Sequence, residues 1–233
     1  MINIKNLNKK YRNKIILDNI NLNIEKGKII GLLGPNGSGK TTLMKILLNI
    51  AKEDSGEIYI NNEKKSEETN KYISFLPDAP FIDKDLSINE ARNYFKFFYT
   101  DFNDKKFENL INKLNLNLKD KIKNLSKGNI EKLNLILILS RDAKIYILDE
   151  PIAGVDIITR NEILKLIIEN ISDESTAIIS THLIKDIEHI FDQVMFLKDA
   201  NIDKIYNVED IRINKNISVE DLYLEYFGGE NYD

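Results

Sequence analysis

The chain contains no cysteine and only two histidines. Disulfides and thiolate metal sites are therefore excluded, and a histidine-rich metal centre is not expected. Long hydrophobic runs are missing too. The longest apolar stretch, Leu133 to Leu139, is interrupted by Asn134, and it falls well short of the roughly 18 residues that span a bilayer. Any membrane role is expected to come through a partner. The opening residues, MINIKNLNKKYR, alternate polar and apolar and lack the apolar core and small-residue cleavage site of a secretory signal. Nor is there an excess of positive charge. With 33 Lys plus Arg against 37 Asp plus Glu the formal charge is −4, which argues against general nucleic-acid binding.

What is present is a phosphate-binding pattern. Gly34 to Thr42 reads GPNGSGKTT and fits GxxxxGK followed by Ser or Thr, with Gly34, Gly39, Lys40 and Thr41 at the fixed positions. Closely spaced glycines let successive backbone N–H groups converge on one anion, a conformation that Cβ atoms obstruct. Lys40 adds a point charge for the β- and γ-phosphates, and Thr41 a hydroxyl ligand for Mg²⁺. Before the loop, Lys28 to Leu33 reads as a buried strand; from Thr42 onward a helix is expected, its N-terminal dipole facing the phosphates.

Along the rest of the chain, Ile2 to Leu7 and Ile15 to Ile24 alternate as strands and predict an antiparallel β layer ahead of the core. GEIYI after Ser55, and Tyr72 to Leu76, read as further strands. Asp85 to Asn124 changes character: apolar residues recur at three- and four-residue spacing, Leu110, Leu114 and Leu118 among them, which predicts a helical insert. A long helix is expected over Ile130 to Ser140. Strand Lys144 to Glu150, helix Thr159 to Asn170, strand Ser175 to Ser180, helix Ile184 to Ile190 and strand Gln193 to Leu197 then alternate, the pattern of a mostly parallel sheet covered on both faces. The tail from Asn201 holds a weak strand and a short helix near Val219 to Tyr226.

The apolar run Ile145 to Leu148 ends in two carboxylates, Asp149 and Glu150. At the carboxyl end of a buried parallel strand, side chains emerge into the crevice where ligands bind. One carboxylate there can hold Mg²⁺ and its neighbour can orient or deprotonate water. Three further pieces fall in order: LSKGN at Leu125 to Asn129 ahead of the long helix, PIAGVD at Pro151 to Asp156, and Ser180-Thr181-His182 after a buried strand.

Together these motifs resemble the ATP-binding subunit of ATP-binding cassette (ABC) transporters, over nearly the whole chain as far as Leu197. The resemblance implies an α/β fold: a P-loop NTPase core with a mostly parallel sheet, an N-terminal antiparallel β layer and a helical subdomain at about 85–135, all in one domain over 1–233. It implies that Tyr11 stacks on adenine. Asn36, Gly37, Ser38, Gly39, Lys40, Thr41 and Thr42 would hold the phosphates. Thr41, Asp149 and Asp78 are implied for Mg²⁺, Glu150 as the catalytic carboxylate, and His182 as the sensor of the γ-phosphate. His189, on an amphipathic helix, is read as structural. Ala153 to Asp156 is similar to the loop that crosses to another subunit. Ser126 and Gly128 resemble the signature motif, usually LSGGQ, which grips ATP held on the opposite subunit. Two positions depart from the family pattern: Lys127 and Asn129 in the signature, and Asp78 where Gln or Glu is usual. LSKGN is similar to bacterial exporters of the ABC-2 and antibiotic-resistance kind.

The function so implied is ATP binding and hydrolysis, driving export through membrane-spanning permease subunits from other genes by ATP-dependent dimerisation, as a homodimer or with a second cassette. The expected place is cytoplasmic, peripheral on the inner face of the membrane, and no nucleic-acid partner is expected. One alternative is a soluble ABC ATPase acting on ribosomes or DNA, but tandem cassettes or a long coiled coil between the motifs, usual in such proteins, are missing. A second is a degenerate cassette that binds ATP and scarcely hydrolyses it.

Overall fold

The computed structural model describes residues 1–228, so residues 229–233 of the expected domain span lie outside the described residues. The chain opens with a hairpin of β1 (Ile2–Tyr11) and β2 (Lys14–Ile24). Ile2 stands opposite Ile24, Ile4 opposite Leu22 and Leu7 opposite Ile20. From Ile4 to Leu7 the inward step is three residues rather than two. A register shift absorbs the extra residue, with Asn6 at φ 50°, so Ile2, Ile4 and Leu7 all stay on the core face. β4 (Ser55–Ile60) joins the other edge of β1, and β5 (Glu63–Lys64) completes an antiparallel sheet of order β2-β1-β4-β5.

The second sheet has the order β10 (Ile205–Asn207), β9 (Gln193–Phe196), β3 (Ile29–Leu33), β8 (Thr176–Ser180), β7 (Ile145–Asp149), β6 (Ile73–Leu76). β3 runs parallel to both β8 and β9, and β7 runs parallel to both β6 and β8. Only β10 is antiparallel. Both faces of this sheet are covered. Ile30, Leu32, Ile145, Ile147 and Ile178 pack toward the antiparallel layer and α1 (Lys40–Leu47), whereas Tyr146, Leu148, Ala177 and Ile179 pack toward the remaining helices. This two-sided burial is why the strands read as nearly continuous apolar runs.

Between β6 and β7 lie α2 (Ile88–Phe98), α3 (Asp104–Lys113), a 3₁₀ turn at Ile122–Asn124 and α4 (Lys127–Leu139). α5 (Ile157–Asn170) joins β7 to β8, and α6 (Ile184–Ile187) precedes β9. The tail adds α7 (Val208–Asp210), a π turn at Ile211–Lys215 and α8 (Val219–Phe227).

Several boundaries differ from the sequence reading for local reasons. α1 begins at Lys40, two residues early. α3 stops at Lys113 because Asn115 takes a left-handed φ of 53°, which leaves Leu118 outside the helix. α4 starts at Lys127 rather than Ile130, since the Ser126 hydroxyl accepts the Asn129 N–H and caps the first turn. The expected helix over 184–190 tightens into a 3₁₀ turn at Glu188–Ile190.

Candidate nucleotide site

β3 lies between β8 and β9, strands reached by connections of their own, and its carboxyl end opens directly into the loop Gly34 to Gly39. Gly39 has φ 115°, and a Cβ there would sit 2.9 Å from the Ile16 carbonyl oxygen. A Cβ on Gly34 would lie 2.7 Å from the Leu197 carbonyl oxygen. The loop can close only without these side chains. Its Ser38 hydroxyl is buried and lacks a hydrogen-bond partner among the described residues. An orphaned polar atom in a loop of convergent N–H groups fits a phosphate oxygen.

Lys40, 7% exposed, donates from Nζ to the carbonyls of Gly34 at 2.6 Å and Pro35 at 3.0 Å. Burial lowers its pKa, while the charges of Glu150 and Asp149 oppose that shift. The Thr41 hydroxyl donates to Asp149 Oδ2 at 3.3 Å. The other carboxylate oxygen, Oδ1, accepts from the fully buried Ser180 hydroxyl. Ser180 was not singled out as a site residue by sequence. Its signal is a polar side chain ending the apolar run Ala177–Ile179, set beside Asp149 by the parallel register.

Glu150 takes φ 52°, a left-handed conformation that costs a non-glycine residue about 1–3 kcal/mol. Its N–H is held by the Ser180 carbonyl at 3.1 Å. The carboxylate turns to His182: Oε2 lies 3.0 Å from Nδ1 and accepts the His182 backbone N–H at 3.4 Å. Asn36, Gly37, Lys40, Thr41, Asp78, Asp149, Glu150, Ala153 and His182 all line one cavity of about 280 Å³. Thus the loop, both carboxylates, Asp78 and His182, spread over four segments of the chain, meet at one place.

The structure does not bring every expected residue there. Tyr11, at the end of β1, is half-exposed, with the Lys9 ammonium 5.0 Å from its ring centroid. Ser126 and Gly128, at the start of α4, do not line this cavity, and a Cβ on Gly128 would meet the Thr159 hydroxyl at 2.9 Å. Among the described residues no group of three or more His, Cys, Asp or Glu side chains could hold a metal. Thr41 and Asp149 offer two oxygens. That is a fit for Mg²⁺, which keeps several waters and takes the rest of its shell from substrate phosphates. No helix among the described residues is long and apolar enough to cross a membrane.

A family model described as ABC transporter matches residues 17–153. The lantibiotic transport ATP-binding protein SrtF of Streptococcus pyogenes is 34% identical over 206 residues, covering 87% of this chain and 89% of the relative. The ABC transporter ATP-binding protein YtrB of Bacillus subtilis is 31% identical over 216 residues, 91% of this chain and 74% of its own length. A solved dimeric ATP-binding cassette in a post-hydrolysis state, bound to ADP and Pi, superposes with a TM-score of 0.76 at 25% identity, over 89% of this chain and 98% of that one. The chain belongs to the ABC transporter family as one of its ATP-binding, ATP-hydrolysing cassettes.

Proposed function

We propose that the cassette drives export through membrane-spanning permease subunits encoded separately, lying against the cytoplasmic face of the membrane. The observation that carries this reading is the meeting of Lys40, Thr41, Asp149, Glu150 and His182 around one cavity. Asn36 to Thr42 wrap the phosphates, and Lys40 neutralises their charge. Mg²⁺, held by Thr41 and Asp149 with Asp78 in the same cavity wall, would add charge neutralisation at the phosphates. Glu150, anchored through its backbone and paired with His182, orients the attacking water and takes its proton, and His182 is assigned to sensing the γ-phosphate. Tyr11 offers its ring to the base.

Ser126 and Gly128 do not line the cavity that holds the phosphate loop and both carboxylates, which supports a head-to-tail dimer in which they serve a neighbour's nucleotide. The neighbour is a second copy or a second cassette. Residues 1–233 are proposed as one domain with a helical insert at about 85–135. Beside Asp78, Pro77, Phe81, Phe95, Phe98 and Tyr99 line an apolar cavity of about 410 Å³ between that insert and the parallel sheet. An apolar groove next to the nucleotide site suits a short helix of a permease. SrtF, named for lantibiotic transport, supports a transport role.

The test is the mass in solution of the Glu150→Gln chain with and without Mg-ATP. A shift from monomer to dimer on adding nucleotide is expected. A chain that binds ATP and stays monomeric would remove the homodimer, and one that binds no ATP would remove the whole reading.

A further inference from the structure

Glu150 and His182 meet because β7 and β8 are neighbours, with Asp149 opposite Ser180 in the parallel register. Beyond the strand ends the chain diverges, through 151–156 into α5 on one side and through 181–183 into α6 on the other. Both segments wall the phosphate cavity, the first with Ala153 and the second with His182. Arg160, near the start of α5, touches both: its Nε donates to the Val155 carbonyl at 3.1 Å and its Nη1 donates to Asp186 Oδ2 on α6. We propose that Arg160 is a positioning residue for ATP hydrolysis, tying the segment after Glu150 to the segment after His182 so that carboxylate and imidazole stay aligned; the inference rests on the roles proposed above for that pair.

The tie spans a junction that the backbone holds only at one end. The Glu150 N–H is bonded to the Ser180 carbonyl at 3.1 Å, whereas the His182 N–H reaches Glu150 Oε2 at 3.4 Å. Among the described residues, the side chain that hydrogen-bonds both outgoing segments is Arg160. A guanidinium is planar and rigid, and its Nε and Nη1 hydrogens point in different directions, so two partners on separate segments are kept at one spacing. Glu150 requires such support. Its φ of 52° is costly for a non-glycine residue and persists only where the surroundings enforce it.

Each end of the tie is itself anchored. Val155 is buried in the apolar core, and its neighbour Asp156 caps α5 by accepting the Ile158 and Thr159 N–H groups, each at 3.0 Å. On the other side the Asp186 N–H donates to the Leu183 carbonyl at 3.2 Å, and the Leu183 N–H donates to the Thr181 hydroxyl at 3.0 Å. Asp186 therefore moves with the turn that carries His182. The ion pair is part-exposed, with the Asp186 side chain at 43%, and pairs of this kind add little to folding stability. Its effect is expected in turnover.

The experiment measures steady-state ATPase kinetics with Mg-ATP, and ATP affinity by calorimetry, on the full chain and on Arg160→Gln, Asp186→Ala, His182→Ala and their pairwise combinations. Arg160→Gln and Asp186→Ala are each expected to lower kcat on the order of tenfold, with KM and ATP affinity unchanged, and the two together to lower it little further. Asp186→Ala removes a part-exposed side chain, so it tests the tie even where Arg160→Gln does not fold. In a His182→Ala background the Arg160→Gln change is expected to cost about twofold or less, because the group it aligns is gone. An unaltered kcat in either folded single variant, the full loss in both backgrounds, or a parallel fall in ATP affinity overturns the positioning role and leaves the catalytic pair standing. If His182→Ala itself leaves kcat intact, the reading of the pair falls and the tie loses its purpose with it.

Discussion

Removing the Ser180 hydroxyl isolates a part of the site that motif matching overlooks. Ser180 is fully buried, donates to Asp149 Oδ1, and accepts the Glu150 N–H at 3.2 Å. In Ser180→Ala the Asp149 carboxylate, itself 7% exposed, keeps only the longer Thr41 contact of 3.3 Å among its side-chain donors. Hydrogen bonds to charged groups contribute about 1.5–3 kcal/mol. The Glu150 N–H still has the Ser180 carbonyl at 3.1 Å, so the loss is confined to Asp149. A destabilisation of about 2 kcal/mol is expected, and for a chain of this size that lowers Tm by roughly 4–8 °C. The same change frees the carboxylate to rotate. Losses of about 10- to 100-fold in metal affinity or activity follow when such an orienting partner is removed.

Two measurements separate these effects. Thermal melting of the nucleotide-free chain reads the stability term. Titration of ATPase activity with Mg²⁺ reads the orientation term, and the half-saturating concentration is expected to rise while ATP binding without metal stays unchanged. Ser180→Thr keeps the hydroxyl at the cost of an extra methyl in a packed interior, so its melting temperature falls but its Mg²⁺ dependence returns toward normal. If Ser180→Ala leaves both Tm and the Mg²⁺ titration unaltered, the proposed role of this hydroxyl is wrong.

Gly39→Ala places a methyl 2.9 Å from the Ile16 carbonyl in a φ of 115°, so triphosphate and ATP binding are expected to be lost together, as calorimetry shows directly; retained binding of either would refute the loop geometry. Acid sensitivity of the insert is carried by Glu90. Its carboxylate accepts the Ser87 N–H at 2.6 Å, the Ser87 hydroxyl at 2.7 Å and the Lys121 ammonium at 3.2 Å, and these hold its pKa at about 2, below the ordinary 4.5. A carboxyl with a depressed folded pKa contributes stability above its unfolded value and loses it as pH falls through the folded one. The urea midpoint of Glu90→Gln is therefore expected below that of the unmodified chain at pH 7, with the gap closing between pH 4.5 and 2; a gap independent of pH would assign the cap to packing instead.

Local patterns made the nucleotide core legible. GPNGSGKTT and the run ending in Asp149 and Glu150 declare themselves because their chemistry needs contiguous residues: backbone N–H groups around one anion, and carboxylates at the end of one buried strand. The two-sided core was readable for a similar reason, since Ile145 to Leu148 has no polar face. Legibility ended where a residue's role depends on what comes near it. Gly128 reads as a loop residue and a weak helix former, yet it sits in the first turn of α4, where a Cβ would press on Thr159 of α5. Close approach of two helices, not local propensity, decides that position. Leu118 kept the helical spacing, but the left-handed Asn115 ended the helix first.

Ser180 shows that limit at the site itself. Nothing near Ser180 distinguishes it from a polar strand end until the register sets it beside Asp149. The phosphate end of the nucleotide is thus written in contiguous sequence, where charge and backbone geometry constrain each residue. Substitutions of Gly34 and Gly39 should accordingly lose nucleotide binding, while buried apolar positions of β7 such as Ile145 and Ile147 should tolerate apolar replacements that keep their volume.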